Sequence, residues 1–185
     1  MYISKTTTIL EDPFAPLDRR ELRLVERCVA QARSRRWIPA ARLISRAGNG
    51  WVYPVASGFL FVAPIEHAAR CIAAAIISLV IAFMIYPPLK RSLARTRPCH
   101  NDEALADALT PLDRYSFPSG HAMTAAAFGI PIIVAAPPLA IPIVIAGCAL
   151  VGWSRVALGH HYPSDLVAGT LLGGIIAATV AIVIL

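Results

Sequence analysis

Charged residues are scarce in this sequence. Asp, Glu, Lys and Arg make up 15% of its 185 residues, against roughly 25% in a soluble globular protein. Hydrophobic residues reach 57%, and the mean hydropathy is +0.62. A chain this small has too high a surface-to-volume ratio to hide that much apolar surface from water, so a soluble domain is excluded. The same shortage of polar residues excludes intrinsic disorder. Cysteine is sparse and scattered. Cys28, Cys71, Cys99 and Cys148 form no CxxC pair and no ligand-like spacing with histidine, so neither a disulfide framework nor a zinc site is expected. Met1 to Asp12 carries no apolar core ahead of a cleavage site, and no secretory signal peptide is read there. Lipid must be the solvent for most of the chain.

What charge there is lies mostly at the start. The first 50 residues hold 10 of the 17 Lys and Arg and 5 of the 11 Asp and Glu. Asp18, with Glu21 three residues on, resembles a capping box. Leu22, Val25, Val29 and Ala32 then recur at helical spacing among arginines, which predicts an amphipathic helix on an anionic membrane surface. A second short helix is expected from Pro39, suited to a first turn, to Gly48, suited to a stop. Residues 1–50 are thus set apart as a basic amphipathic segment, and 51–185 as a transmembrane domain.

Five apolar stretches follow: Trp51–Ile65, Cys71–Leu89, Ala122–Leu139, Ala140–Val151 and Leu166–Leu185. The last is long enough for about 30 Å at 1.5 Å rise per residue. Pro137-Pro138 suits a tight turn between the third and fourth. The expected fold is all-α, a transmembrane helical bundle of about five to six spans with an N-terminal amphipathic surface helix. Gly169-x-x-x-Gly173 gives the last span a face of small residues, for packing within the monomer or, alternatively, for a homodimer seam.

Ionisable residues near hydrocarbon are expensive and tend to be kept for function. Beyond residue 50 they gather between the second and third spans, Lys90–His121, and between the fourth and fifth, Ser154–Asp165. Two crossings separate the clusters, so both lie on one membrane face and can converge. Lys90 and Arg97 are two helical turns apart. Ser119 and Gly120 offer a hydroxyl and free N–H groups at a helix start, a ready anion site. His161 and Asp165 are one turn apart, so the carboxylate can hold one imidazole nitrogen while the other attacks. Each element alone has a plain structural explanation, such as a snorkelling cation or a local ion pair. Together, three cations, two histidines, a carboxylate and a helix N-terminus make a site for a phosphoryl group.

The order Lys90-x6-Arg97-Pro98, Pro118-Ser119-Gly120-His121 and Ser154-Arg155-x5-His161-x3-Asp165 resembles the three-part signature of the type 2 phosphatidic acid phosphatase family, which shares its site with vanadium haloperoxidases. The resemblance implies that His161 attacks phosphorus to form a phosphohistidine, that Asp165 orients it, and that His121 protonates the leaving oxygen. It implies that Lys90, Arg97, Ser119, Gly120 and Arg155 bind phosphate, with no metal and no cofactor. Asp102, Glu103, Asp107 and Asp113 are read as a solvated lid, and His100 and His160 as loop residues.

The function expected is an integral membrane, metal-independent lipid phosphatase acting on a monoester or diphosphate. A polyprenyl diphosphate such as undecaprenyl diphosphate is favoured; phosphatidylglycerophosphate or phosphatidic acid is the alternative, and a non-catalytic phospholipid-binding protein the competing class. The partners are then the lipid phosphate and the bilayer, with no nucleic acid. A bacterial cytoplasmic (inner) membrane is the expected location. The basic N-terminus favours a site facing the cytoplasm, whereas bacterial members of the family commonly place it outside.

Overall fold

The computed structural model describes residues 13–62, 67–107, 109–135 and 138–185, which fold into eight helices and a 3₁₀ turn. The helices are α1 (Ala15–Ser34), α2 (Ile38–Ala47), α3 (Val52–Val62), α4 (Ala68–Leu93), α5 (Pro98–Asn101), α6 (Gly120–Ala135), α7 (Ala140–Ala157) and α8 (Pro163–Ile184). Among the described residues there is no strand, only an isolated antiparallel bridge between Thr96 and Tyr115.

Among the described residues three helices, α4, α7 and α8, are long and apolar enough to cross a membrane. The described parts of the other two expected spans, α3 and α6, have 11 and 16 residues, which at 1.5 Å per residue is about 16 and 24 Å. Helix α6 is the centre of the bundle and packs against α4, α7 and α8. Its Met123, Ala127 and Phe128 are buried, and they join Cys71, Ala75 and Leu79 of α4 in the main core. The outer faces stay apolar: Phe59, Phe61, Met84, Ile143, Ile182 and Val183 are all exposed. An exposed apolar belt around a buried core is what a lipid-solvated bundle presents.

The α6–α8 contact explains the glycine spacing. A Cβ on Gly169 would run into the Ser119 carbonyl, and one on Gly173 into the Met123 carbonyl. Only glycine lets these two backbones approach so closely. Gly169 and Gly173 therefore serve packing within the monomer.

Helix α1 has its apolar stripe, but the stripe faces protein rather than lipid. Val25 and Val29 pack with Cys99, Leu105, Val156 and Tyr162, and Ala32 with Ala41, Ala157 and Leu158. The expected capping box is not formed either. Helix α1 starts at Ala15, behind Phe14, and Asp18 and Glu21 lie within it and pair with Arg95. Helices α1 and α2 thereby cover the end of the bundle at which α4 and α7 finish and α6 and α8 begin.

Candidate active site

Helix direction brings the two sequence clusters together. Lys90 lies in the last turn of α4 and Arg155 in the last turn of α7. Gly120 and His121 open α6, and Asp165 sits in the first turn of α8. The connection after α4 is tied down by Ser116, whose N–H donates to the Arg95 carbonyl at 2.9 Å. That strap carries Arg97 under the start of α6. Gly159, at φ +68, turns the chain after α7 and sets His160 and His161 inward.

A cavity of about 70 Å³ lies between these ends, lined by Lys90, Arg97, Gly120, His121, Arg155 and His161 together with Asp113 and Asn49. Six of the eight residues singled out from the sequence thus face one space. Asp165 lies behind His161, and Ser119 lies behind Gly120, fully buried, with its hydroxyl 3.4 Å from the Ala122 N–H.

The geometry fixes the protonation of His161. Arg97 Nη1 stands 3.0 Å from His161 Nε2, and a guanidinium can only donate, so Nε2 accepts. The ring proton is then on Nδ1, which donates to Asp165 Oδ2 at 3.3 Å. Complete burial, followed by the charges of Arg97, Arg155 and Lys90, holds the imidazole well below its ordinary range, so the ring is neutral. A neutral ring with its lone pair on the cavity side is the form a nucleophile needs.

Asp165 is held on every side. It accepts the Tyr162 N–H at 2.9 Å and Arg95 Nη1 at 2.6 Å. Arg95 is itself fully buried and stacks 4.1 Å from the Tyr162 ring centroid. Its Nε and Nη2 donate to Asp18 at 2.9 and 2.7 Å, and Nη2 to Glu21 at 2.8 Å. Glu21 in turn accepts the Ser164 N–H at 2.8 Å at the start of α8. Desolvation of Arg95 is outweighed by these carboxylates, Asp165 first, and its pKa rises. The sequence reading missed this network. The signal was there: an arginine two residues before Arg97, where an amphipathic interface needs no such charge.

Three further residues depart from their sequence assignments. Asp113 is more than a solvated lid residue: its carboxylate, open to solvent on one side, bridges Lys90 Nζ at 2.9 Å and Arg97 Nη2 at 2.7 Å. Burial raises its pKa, but the bond and charge of Lys90 and those of Arg97 outweigh it and leave it below the usual carboxylate range. Asp107, of the same loop, pairs with Arg42 of α2 at 2.6 Å. His160 is a buried structural histidine, not a plain loop residue. Its Nε2–H donates to the Leu109 carbonyl at 2.7 Å and its own carbonyl accepts from Arg97 at 2.6 Å.

The α2–α3 corner forms the remaining wall. His121 Nε2 donates to Asn49 Oδ1 at 2.7 Å, and Arg155 donates to the Ser45 hydroxyl. Arg155 is 3% exposed and its Nε has no partner among the described residues, so it reaches the cavity with donor capacity to spare. No group of three or more His, Cys, Asp or Glu among the described residues is placed to hold a metal.

The PAP2 superfamily model matches residues 70–184, which takes in every one of the cavity's cations and both histidines. This chain belongs to the PAP2 superfamily. Among curated relatives of this PAP2 protein, a lipid A 1-phosphatase of Rhizobium etli is 37% identical over 51% of the chain and 42% of the relative. An undecaprenyl-diphosphatase of Sulfolobus acidocaldarius is 36% identical over 53% of the chain and 48% of the relative. The matched stretch is thus under half the length of these two proteins. Among solved structures, Aquifex aeolicus LpxE superposes with a TM-score of 0.70 at 22% identity, covering 86% of this chain and 93% of that one. The fold is therefore shared well beyond the family match and includes helices that the match leaves out.

Proposed function

We propose that this PAP2 protein is a membrane lipid phosphatase that works through a phosphohistidine at His161. The observation that carries the reading is the pair of bonds on that ring: Asp165 accepts from the Nδ1–H and Nε2 points its lone pair at Arg97. A phosphoryl group drawn in by Lys90, Arg97 and Arg155 takes over the Arg97 hydrogens and brings phosphorus against Nε2. Attack forms the N–P bond as the P–O bond to the leaving group breaks. His121, protonated once the phosphoryl anion sits among the cations, gives that oxygen a proton as imidazolium, and as neutral imidazole then removes one from the water that releases phosphate. Gly120, at the helix start, supplies a backbone N–H to a phosphoryl oxygen. Ser119, one residue further from the cavity, holds the helix start that presents Gly120.

The cavity suits the headgroup alone, and the apolar belt around it suits a substrate whose tail stays in lipid. The names of the relatives, one acting on lipid A and one on undecaprenyl diphosphate, support that class. We favour a polyprenyl diphosphate, with a glycerolipid phosphate as the second reading, and a bacterial inner membrane as the location. Purified protein in detergent, given a panel of prenyl diphosphates and glycerolipid phosphates, should release phosphate, and His161→Ala should lower the rate about 10³-fold or more. Equal release by that variant would overturn the assignment.

A further inference from the structure

Lys90 and Arg97 are the cations that the proposed function gives to phosphoryl oxygens, yet in this structure both hold a carboxylate of their own chain. Asp113 accepts from Lys90 Nζ through both oxygens, at 2.9 and 3.1 Å, and from Arg97 Nη2 at 2.7 Å. Its backbone carbonyl also accepts from Arg97 Nε at 2.9 Å. The carboxylate lines the same cavity as His121, Arg155 and His161. Its side chain is 41% exposed, whereas those of Lys90 and Arg97 are 6% and 1% exposed. The cations are thus fixed and the carboxylate has solvent on one side. A phosphoryl group in reach of His161 Nε2 must draw on Arg97, the donor already bonded to that nitrogen. Two anions on one cation pair in a cavity this small repel strongly.

We propose that Asp113 is a specificity-determining residue, a built-in competitor that phosphate must displace from Lys90 and Arg97, and that it thereby sets the charge a lipid headgroup needs to enter. The inference rests on the proposed assignment of those cations to phosphate. A tethered carboxylate competes at high effective concentration with a single negative charge. A phosphodiester headgroup also carries one charge, gains nothing in the exchange, and stays out. A monoester near its dianion carries close to two, and a diphosphate more, and both win the cations. Bulk membrane phosphodiesters, present in vast excess at this surface, are so kept from occupying the site. Asp113 is held ionised by the same two cations, so the competition does not lapse in mildly acidic conditions.

Inhibition of the full-length protein in detergent tests this, with phosphate release from a lipid phosphate as the readout. In Asp113→Asn, the inhibition constant for orthophosphate should fall about tenfold, and phosphatidylglycerol in mixed micelles should inhibit, which it should not do in the unmodified protein. Asp113→Glu keeps the charge and should hold the orthophosphate constant within about twofold of the unmodified protein and remain uninhibited by phosphatidylglycerol; it also serves if the asparagine variant does not fold, since a glutamate variant whose phosphate affinity rises tenfold counts against charge competition. A carboxylate that instead orients Lys90 and Arg97 for substrate predicts weaker orthophosphate binding in the asparagine variant. An orthophosphate constant unchanged or raised in Asp113→Asn, or no inhibition of that variant by phosphatidylglycerol, overturns the proposal while leaving the phosphatase reading intact. No phosphate release by the unmodified protein from any lipid phosphate overturns both.

Discussion

Arg95 grips Asp165 from the side opposite His161, its Nη1 2.6 Å from Oδ1 while His161 Nδ1 lies 3.3 Å from Oδ2. Through this guanidinium, helix α1, which lies wholly outside the family match, bears on the proposed nucleophile. Replacing Arg95 by alanine leaves Asp18, Glu21 and Asp165 buried without their shared partner. Breaking a buried ion pair in this way costs about 3–5 kcal/mol. Thermal unfolding in detergent should show that loss. The milder Asp18→Asn with Glu21→Gln pair should stay folded and lower kcat more than KM, because the acceptor of His161 loses its fixed position. Unchanged kcat in that pair would make the network purely structural.

Acid should destabilise the protein through His160. Burial and then the charge of Arg155 lower its pKa to about 3, and its buried Nδ1 has no partner among the described residues. In the unfolded chain the ring takes a proton near pH 6.5, so below that value the unfolded state holds more protons and stability falls with pH until about 3. One such group contributes about 1.4 kcal/mol per pH unit. Unfolding between pH 6.5 and 5 should show a slope shallower by about one proton in His160→Gln; the same slope in both proteins would contradict the assignment.

Close helix approach predicts a sharp size limit on α8. Gly173→Leu drives a side chain into the Met123 backbone and should cost several kcal/mol, of the order of other overpacked cores, with loss of phosphate release. A Cβ on Gly174, one position on, meets nothing within 4 Å among the described residues, so Gly174→Leu should be tolerated. Equal effects of the two, read by thermal unfolding, would place the α6–α8 contact elsewhere.

The proposed chemistry uses side chains, the Gly120 N–H and water. Phosphate release should persist in excess EDTA, and orthovanadate, which can adopt five-coordinate geometry at the nucleophile, should inhibit it. Activity lost in EDTA and restored by magnesium would contradict the scheme.

The spacing of Lys90, Arg97, His121, Arg155, His161 and Asp165 was legible because a helix end fixes where each such side chain goes, and the parity of crossings puts all the ends on one face. The partners were not legible. Asp18 and Glu21 sit three apart with helical arginines around them, a pattern equally fit for a cap, and only the tertiary fold brings Arg95 to them. Asp113 has no periodic neighbour at all, and its role depends on how a loop closes. The stripe of Val25 and Val29 was read correctly as one face, but an apolar face does not say whether lipid or protein will cover it. Helix α6 shows the same limit: its apolar run reads as lipid-facing, yet its neighbours enclose it on most sides.

The central claim is that His161 carries the phosphoryl group. Purified protein mixed with a lipid phosphate labelled in its terminal phosphoryl, quenched within the first turnover into alkali and digested, gives the attachment site directly by mass spectrometry of the peptides. The account predicts an acid-labile label on His161, absent in His161→Ala. Full turnover with no label on any histidine, or a label on His121 or His160 instead, would contradict it.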